Sequence, residues 1–186
     1  MIKVRSRDGT ALAVDRLGDG PAVILVGGAS DRSANAPLAS LLAEHYTVYN
    51  YDRRGRGASD PSPAGTPYSP ELELQDLQAV FAATGGSAYL HGASSGAGLA
   101  LLAVVAGCPA KKLALWDLEY DAAAIGVDKV RNYTTPTLVM TGPAHAREWP
   151  PALAGLLENA SHLAIDGQDH NVNPAVMATK LREFFA

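Results

Sequence analysis

The sequence predicts an α/β fold, in which a mostly parallel, twisted sheet carries helices on both faces and begins with an antiparallel hairpin. Strand-like and helix-like segments alternate along the chain, a pattern typical of parallel sheets. Residues Ala22 to Val26 form a continuous apolar run, as expected for a strand buried on both faces. At the N-terminus, Ile2 to Val4 and Leu12 to Leu17 flank Asp8-Gly9, a dipeptide that favours a hairpin turn.

The remaining elements follow in order along the chain. Further strands are predicted at Tyr46–Tyr51, Ala88–His91, Leu113–Trp116, Thr137–Thr141 and His162–Ile165. Helices are predicted at Pro37–Glu44, after Ser95, at Leu153–Leu157 and at Pro174–Phe185. Another helix is expected to begin at Ser69-Pro70-Glu71, with the Ser69 hydroxyl as its cap, and to end at Gly85-Gly86. Without internal repeats or a linker, residues 1–186 are predicted to form one domain.

Composition and charge narrow the classes of function. The 186 residues are 47% apolar and 18% charged, which is typical of a globular protein with a hydrophobic core. The formal net charge of −4 provides no overall attraction to nucleic acid or to an anionic membrane. We therefore expect a small-molecule partner, with no nucleic acid and no membrane.

The start of the chain and its cysteine content predict a cytoplasmic protein. Met1 to Arg5 leads directly into alternating residues, without the apolar core of a signal peptide. The longest apolar stretch, around Leu99 to Ala106, is too short to span a bilayer. The single cysteine, Cys108, cannot form an internal disulfide, which fits a reducing compartment.

A sharp strand-to-helix corner gives the strongest functional signal. Residues 92–96, here called the serine corner, read Gly-Ala-Ser-Ser-Gly and fit G-x-S-x-G, the nucleophile elbow. We expect a strained backbone at Ser94, with glycines at 92 and 96 because larger side chains would collide with it. Ser94 is the predicted nucleophile, and the Ser95 N–H at the helix start is a predicted oxyanion donor. The alternative is a purely structural turn.

Six segments of the chain, in this order, resemble those of an α/β-hydrolase, in particular a group of small bacterial members. They are AVILVGGAS, YNYDRRGRGASD, LHGASSGAGLAL, LALWD, TPTLVMTG and GQDHNV. The resemblance extends from Ala22 to Ala186. It implies the α/β-hydrolase fold and a Ser–acid–His triad with an oxyanion hole. It names no substrate, because this fold hosts many chemistries.

His170 is the predicted catalytic base. It lies in the polar segment Gly167–Asn171 after the last predicted strand, where an α/β-hydrolase carries its base, and it keeps the order serine, acid, histidine. His91, immediately before the serine corner, is interpreted as a packed core residue. No cofactor is expected, and no metal site either, because no two histidines have ligand spacing on one helix.

The loop after the third predicted strand is the candidate for the second half of the oxyanion hole. It reads Val26-Gly27-Gly28-Ala29 where the family usually has His-Gly-x, so Gly27 replaces the histidine. The N–H of Ala29 is the predicted second donor. The alternative is a glycine turn with a structural role alone.

The acid of the triad is the least regular part of the resemblance. Most α/β-hydrolases carry it after the seventh strand in a turn resembling Gly-x-x-Asp, but this chain reads Gly142 to His145 there. Some relatives draw the acid from the end of the sixth strand, which makes Asp117 the predicted residue. Glu119, Asp121 and Glu148 are the alternatives, and Asp117 as the cap of a turn is another.

Residues 52–57, Asp-Arg-Arg-Gly-Arg-Gly, are here called the arginine loop. Its glycines lack the spacing, and its sequence the lysine, of a phosphate loop. We favour a structural role, in which the arginines bind backbone and acids. A site for an acidic substrate group is the alternative.

The chain is too short to build the lid that many relatives insert after the sixth strand. About twenty residues separate Asp117 from Thr137, too few for a cap domain. An open site is therefore predicted, because lids exclude water and complete substrate pockets.

The favoured function is a carboxylesterase-like serine hydrolase that cleaves an ester or related acyl bond. Acyl transfer or a perhydrolase-type reaction, which use the same triad, are alternatives within the enzyme class. A non-catalytic binding module is another alternative, as is a site that a second copy or another partner covers and completes.

Overall fold

The computed structural model describes residues 1–118, 134–143, 153–155 and 157–186. Eight strands form one sheet in the order β1-β2-β4-β3-β5-β6-β7-β8. The strands are β1 Ile2–Arg5, β2 Ala11–Leu17, β3 Ala22–Val26, β4 Thr47–Tyr51, β5 Ala88–Ala93, β6 Ala110–Trp116, β7 Thr137–Thr141 and β8 Ala160–Ala164. The predicted fold class is confirmed, and the described residues include no cap domain.

The direction of the strands brings several loops to one edge of the sheet. β1 and β2 form the predicted antiparallel hairpin, and β2 is also antiparallel to β4. The pairings from β4 through β3, β5, β6 and β7 to β8 are all parallel. The loops that follow these parallel strands therefore meet at their carboxyl ends, where open α/β sheets place their ligands.

Helices cover both faces of the sheet. They are α1 Ala36–Leu42, preceded by a 3₁₀ turn at Arg32–Asn35, α2 Pro70–Ala83, α3 Ser95–Val105 and α4 Pro174–Phe185. Strand β3 divides its side chains between the two cores: Ile24 and Val26 pack on the side of α2 and α3. Val23 and Leu25 pack on the side of α1 and α4. This two-sided burial explains the continuous apolar run of β3.

Sequence patterns and structure differ at some element ends. β6 begins at Ala110, before the predicted Leu113, because Ala110 pairs with Ala88 at the start of β5. β8 runs from Ala160 to Ala164, since its pairing with Thr137 of β7 sets its start. Ser69 occupies the N-cap of α2 without a capping hydrogen bond from its side chain.

Two further expectations concern helices. Within the predicted helix at 153–157, residues 153–155 are helical and residue 156 is outside the described residues. Among the described parts of the chain, no helix is long and apolar enough to cross a membrane.

Candidate active site

The serine corner joins β5 directly to α3, and its backbone is strained at one residue. Ser94 has φ 54° and ψ −126°, a conformation that L-residues rarely adopt. Its backbone N–H donates to the Trp116 carbonyl at 2.9 Å, which extends the pairing of β5 with β6 up to the corner. Ser94 therefore stands at the carboxyl end of the central strands, at the start of α3.

Both glycines of the serine corner are needed to avoid steric clashes, but the clashing atoms are not those of Ser94, as the sequence had predicted. A Cβ at Gly92 would lie 2.6 Å from the Gly96 carbonyl oxygen and 2.8 Å from Ala100 Cβ. A Cβ at Gly96 would lie 2.3 Å from the Val26 carbonyl oxygen. The expected collision with Ser94 is thus not the closest one. Glycine is required because α3 packs tightly against its own strand and against the end of β3.

His170 and Asp117 are in direct contact. Asp117 Oδ2 lies 2.5 Å from His170 Nδ1. The Asp117 side chain is 6% exposed, whereas that of His170 is 41% exposed. Asp117 has φ 47°, so it and Ser94 are the non-glycine residues with positive φ in the described chain. A buried acid therefore contacts one ring nitrogen of a partly exposed histidine.

The loop that carries His170 is held by two features that the sequence patterns did not identify. The Trp116 indole N–H donates to the His170 carbonyl at 3.1 Å. A Cβ at Gly142 would lie 2.3 Å from the Gln168 carbonyl oxygen, so only glycine lets the loop approach the end of β7. A tryptophan at the last position of a predicted strand, next to the acid, is the signal that points to such a role.

Ser94, His170 and Ala29 line one cavity of about 320 Å³. Trp116 and Val172 also line it, and Gly27, Gly28, Ala34 and Ala93 give it a wall of small residues. Ser30, Asp31, Asn35 and Asn171 add polar groups. The volume lies within the range of small-molecule sites, about 300–1,000 Å³. Four of the five predicted catalytic and oxyanion residues thus converge here, counting Asp117 through its contact with His170.

Ser95, the fifth predicted residue, is the first residue of α3. The first N–H groups of a helix have no acceptor within the helix, which suits the predicted role of the Ser95 N–H. Its hydroxyl accepts a hydrogen bond from Arg53 Nη1 at 3.0 Å. Of the alternatives to Asp117, Glu119, Asp121 and Glu148 all lie outside the described residues.

The arginine loop forms buried ion pairs. Arg53 binds Glu73 with Nε 2.7 Å from Oε1, and a second contact joins Nη2 to Oε2. Arg54 binds Asp76 in the same forked geometry, at 2.7 Å for both contacts. Burial would raise the pKa of Glu73, but the hydrogen bonds and charge of Arg53 outweigh it and hold that pKa below its ordinary value. These contacts agree with the structural interpretation of the loop.

His91 and His162, two other described histidines, have structural partners. His91 Nδ1 lies 3.1 Å from the Ala114 carbonyl oxygen, and burial lowers its pKa to about 4. His162 Nε2 lies 3.0 Å from the Thr141 hydroxyl. Within the described ranges, no group of three or more His, Cys, Asp or Glu side chains could hold a metal ion.

Comparison with known proteins shows what this chain is similar to. A hydrolase from Bacillus subtilis strain 168, the uncharacterized protein YraK, is 38% identical over 86 residues; the match spans 45% of this chain and 32% of that protein. A thermophilic esterase from Thermogutta terrifontis, solved with malate bound, shares the fold with TM-score 0.84 at 18% identity and covers 99% of this chain and 97% of its own.

Two further comparisons cover nearly the whole chain. A crystal structure of an alpha/beta hydrolase from Sphaerobacter thermophilus DSM 20745 is 33% identical, has a TM-score of 0.90 and covers 100% of both chains. Residues 23–182 match the sequence profile of the Alpha/beta hydrolase family. With the eight-stranded sheet and its strand-to-helix corner, these matches show that the chain belongs to the α/β-hydrolase family.

Proposed function

We propose that this chain is a serine hydrolase that cleaves an ester or a related acyl bond through an acyl-enzyme. The contact that supports this most strongly is the 2.5 Å pairing of His170 Nδ1 with the buried carboxylate of Asp117. An acid at Nδ1 fixes the tautomer and orientation of the ring and stabilises the imidazolium form. Its other nitrogen, Nε2, is the proposed base, since Ser94 and His170 line the same cavity.

Each group has a defined part in the proposed reaction. Ser94 Oγ attacks the acyl carbon and transfers its proton to His170 Nε2. The negative charge that develops on the carbonyl oxygen is stabilised by the N–H groups of Ala29 and Ser95. His170 then protonates the departing alcohol, and water, activated by the same ring, hydrolyses the acyl-enzyme to the free acid. The strained φ of 54° at Ser94 presents its hydroxyl above the sheet edge.

Labelling with a fluorophosphonate probe tests the proposal without knowledge of the substrate. The probe reacts with an activated serine, so the wild-type protein is expected to be labelled and Ser94→Ala is not. Ser95→Ala is the matched control, because its proposed contribution is a backbone N–H; it should retain most labelling and most turnover of an activated ester. Removing a nucleophilic serine lowers kcat by up to about 10⁶-fold elsewhere.

Two outcomes would contradict the proposal. If Ser95→Ala rather than Ser94→Ala loses the label, the assignment of the nucleophile is wrong. If the folded wild-type protein neither takes the label nor hydrolyses activated esters, the chain is a binding module on a hydrolase fold.

A further inference from the structure

We infer that Arg53 and Arg56 of the arginine loop are positioning residues for the oxyanion hole, because they fix the orientation of the Gly28–Ala29 peptide. The inference rests on the proposed function and gives the arginine loop a role in it. Arg53 Nη1 lies 3.3 Å from the Gly28 carbonyl oxygen and 3.4 Å from that of Gly27. Arg56 Nη1 also donates to the Gly28 carbonyl.

This contact determines where the Ala29 N–H points. A trans peptide holds its C=O and N–H on opposite sides, and the described chain contains no cis peptide. Two guanidinium groups on the Gly28 carbonyl therefore direct the Ala29 N–H away from themselves. Ala29 lines the cavity of Ser94 and His170, so that direction leads to the site. If the peptide flipped, its carbonyl would face a developing oxyanion and oppose the reaction.

The peptide lies directly against the proposed nucleophile. A Cβ built on Gly28 would lie 3.3 Å from Ser94 Cβ and 3.6 Å from Ser94 Oγ. The same Arg53 Nη1 lies 3.0 Å from the hydroxyl of Ser95, whose N–H is the other proposed donor. One guanidinium nitrogen thus contacts both segments that supply oxyanion donors.

Glu73 of α2 holds Arg53 in the required position. Its carboxylate takes the forked side of the guanidinium, Nε and Nη2, and leaves Nη1 facing the backbone. The Tyr68 hydroxyl donates to Glu73 Oε2 at 2.9 Å and fixes the carboxylate in turn. The Arg53 and Glu73 side chains are only 6% and 4% exposed. Solvent therefore does little to weaken this pair.

Two cations at one carbonyl are an arrangement that stability alone does not favour. Burial and the neighbouring charge of Arg53 lower the pKa of Arg56. Positive charge behind the Gly28–Ala29 peptide also strengthens its dipole toward the cavity, where negative charge develops during acyl transfer. The placement of Arg53 and Arg56 behind this peptide therefore fits a role in the proposed reaction.

The test compares two double variants that remove equivalent ion pairs. Arg53→Met/Glu73→Gln deletes the pair that contacts Gly27 and Gly28. Arg54→Met/Asp76→Asn deletes the neighbouring pair of the same loop, whose side chains are 3% and 1% exposed. Replacing both partners of a buried pair by residues of similar volume is often tolerated, so both variants are expected to fold.

The expected result is a loss of kcat confined to the first variant. Removing a whole oxyanion donor lowers the rate about 10²- to 10³-fold, so loosening one donor should lower kcat about 10- to 100-fold. KM for an activated ester should stay within about threefold, because the ester carbonyl carries little charge before attack. Inhibition by a trifluoromethyl ketone, whose serine adduct carries an oxyanion, should weaken by the same factor as kcat/KM. Arg54→Met/Asp76→Asn should keep the wild-type values.

A measurement on the amide itself separates positioning from general destabilisation. In the wild type, the ¹H–¹⁵N signal of Ala29 is expected to shift when the trifluoromethyl ketone adduct forms. The shift should shrink in Arg53→Met/Glu73→Gln and persist in Arg54→Met/Asp76→Asn. Full kcat in the first variant, or an equal loss in both, would overturn the inference. Failure of the proposed function would show differently, as wild-type turnover that does not depend on Ser94.

Discussion

The arginine loop and the proposed triad around the serine corner lie at the same edge of the sheet. They differ in which residues have a positive φ and in how their charged side chains are paired. In the arginine loop, positive φ occurs only at glycines, Gly55 and Gly57. At the ends of β5 and β6 it falls on Ser94 and Asp117, where an L side chain makes it costly, by about 1–3 kcal/mol each.

The two regions also differ in how their charged groups are satisfied. Arg53 and Arg54 each face a buried carboxylate in forked geometry. His170 pairs with the buried carboxylate of Asp117, is 41% exposed and lines the cavity that it shares with Ser94. The difference teaches that a conspicuous basic motif in the sequence can owe much of its presence to buried ion pairs, whereas the residues of the proposed triad are marked by a positive φ at Ser94 and Asp117 and by a partly exposed histidine.

Asp117→Asn tests the proposed triad, and of the variants considered, those of Ser94 apart, it should lower kcat the most. An amide at this position would hold His170 in the wrong tautomer, which lowers kcat about 10⁴-fold in a related triad, or roughly 5 kcal/mol. The measurement is kcat on an activated ester. Asp169→Asn is a matched control, one residue from His170, with its carboxylate 2.9 Å from the Asn171 N–H; it should keep most of the activity.

The same measurement on variants of the alternative acids would contradict the assignment of Asp117. If Asp117→Asn keeps more than about a tenth of the activity while Glu119→Gln or Glu148→Gln loses it, the acid lies in the segments outside the described residues.

The fold could be predicted from the sequence because its signals are local and repeated. The apolar run of β3, the Asp8-Gly9 hairpin and the end of α2 shortly before Gly85-Gly86 each reflect a short-range preference. Element ends were less accurate, as at β6 and β8, because partner strands set them. Pairing between distant segments is not visible in one local pattern.

The residues of the candidate site also fall into two groups: those that a local motif identifies and those that only distant contacts bring together. Ser94 could be proposed as the nucleophile from the serine corner alone, since its glycines and its strand-to-helix setting are contiguous in sequence. The contacts of Trp116 with His170 and of Arg53 with Gly28 join residues 54 and 25 positions apart. No spacing rule identifies such partners, so they emerge only when the strands bring them together.

Asp76→Asn tests the buried ion pairs of the arginine loop, and it should lower the free energy of unfolding without changing the activity. It leaves the Arg54 guanidinium, whose side chain is 3% exposed, without its forked partner. Breaking a buried pair in this way costs about 3–5 kcal/mol, and the remaining contact with Asp8 at 2.9 Å places the loss at the low end. Urea unfolding measures it, with Asp60→Asn on the exposed surface as control. A drop in kcat per folded molecule would mean that this pair supports the site.

His91 provides a test at acid pH. Unlike the paired arginines, which are charged, His91 is kept neutral by burial. Burial lowers its pKa to about 4, against 6.5 for the unfolded chain. Between these values the unfolded state binds more protons, so stability is complete above pH 6.5 and falls as the pH drops toward 4. The loss amounts to at most about 3 kcal/mol.

Unfolding curves at pH 7 and pH 4.5 measure the His91 contribution. His91→Gln keeps a donor for the Ala114 carbonyl and should flatten the pH dependence relative to wild type. Parallel curves for wild type and His91→Gln would show that carboxylates of the ion pairs, not His91, control acid stability.

The smallest effect measures the strain at Ser94 itself. At φ 54° and ψ −126°, alanine is as strained as serine, whereas glycine is relieved of about 1–2 kcal/mol. Against this, glycine loses about 0.5–1 kcal/mol of backbone entropy on folding. Ser94→Gly should therefore be more stable than Ser94→Ala by up to about 1.5 kcal/mol, with both inactive. Ser40, exposed in α1, is the matched control: there glycine should be less stable than alanine by about 1 kcal/mol. The same sign at both positions would mean that the serine corner stores no strain, and the contrast with the arginine loop would then rest on exposure alone.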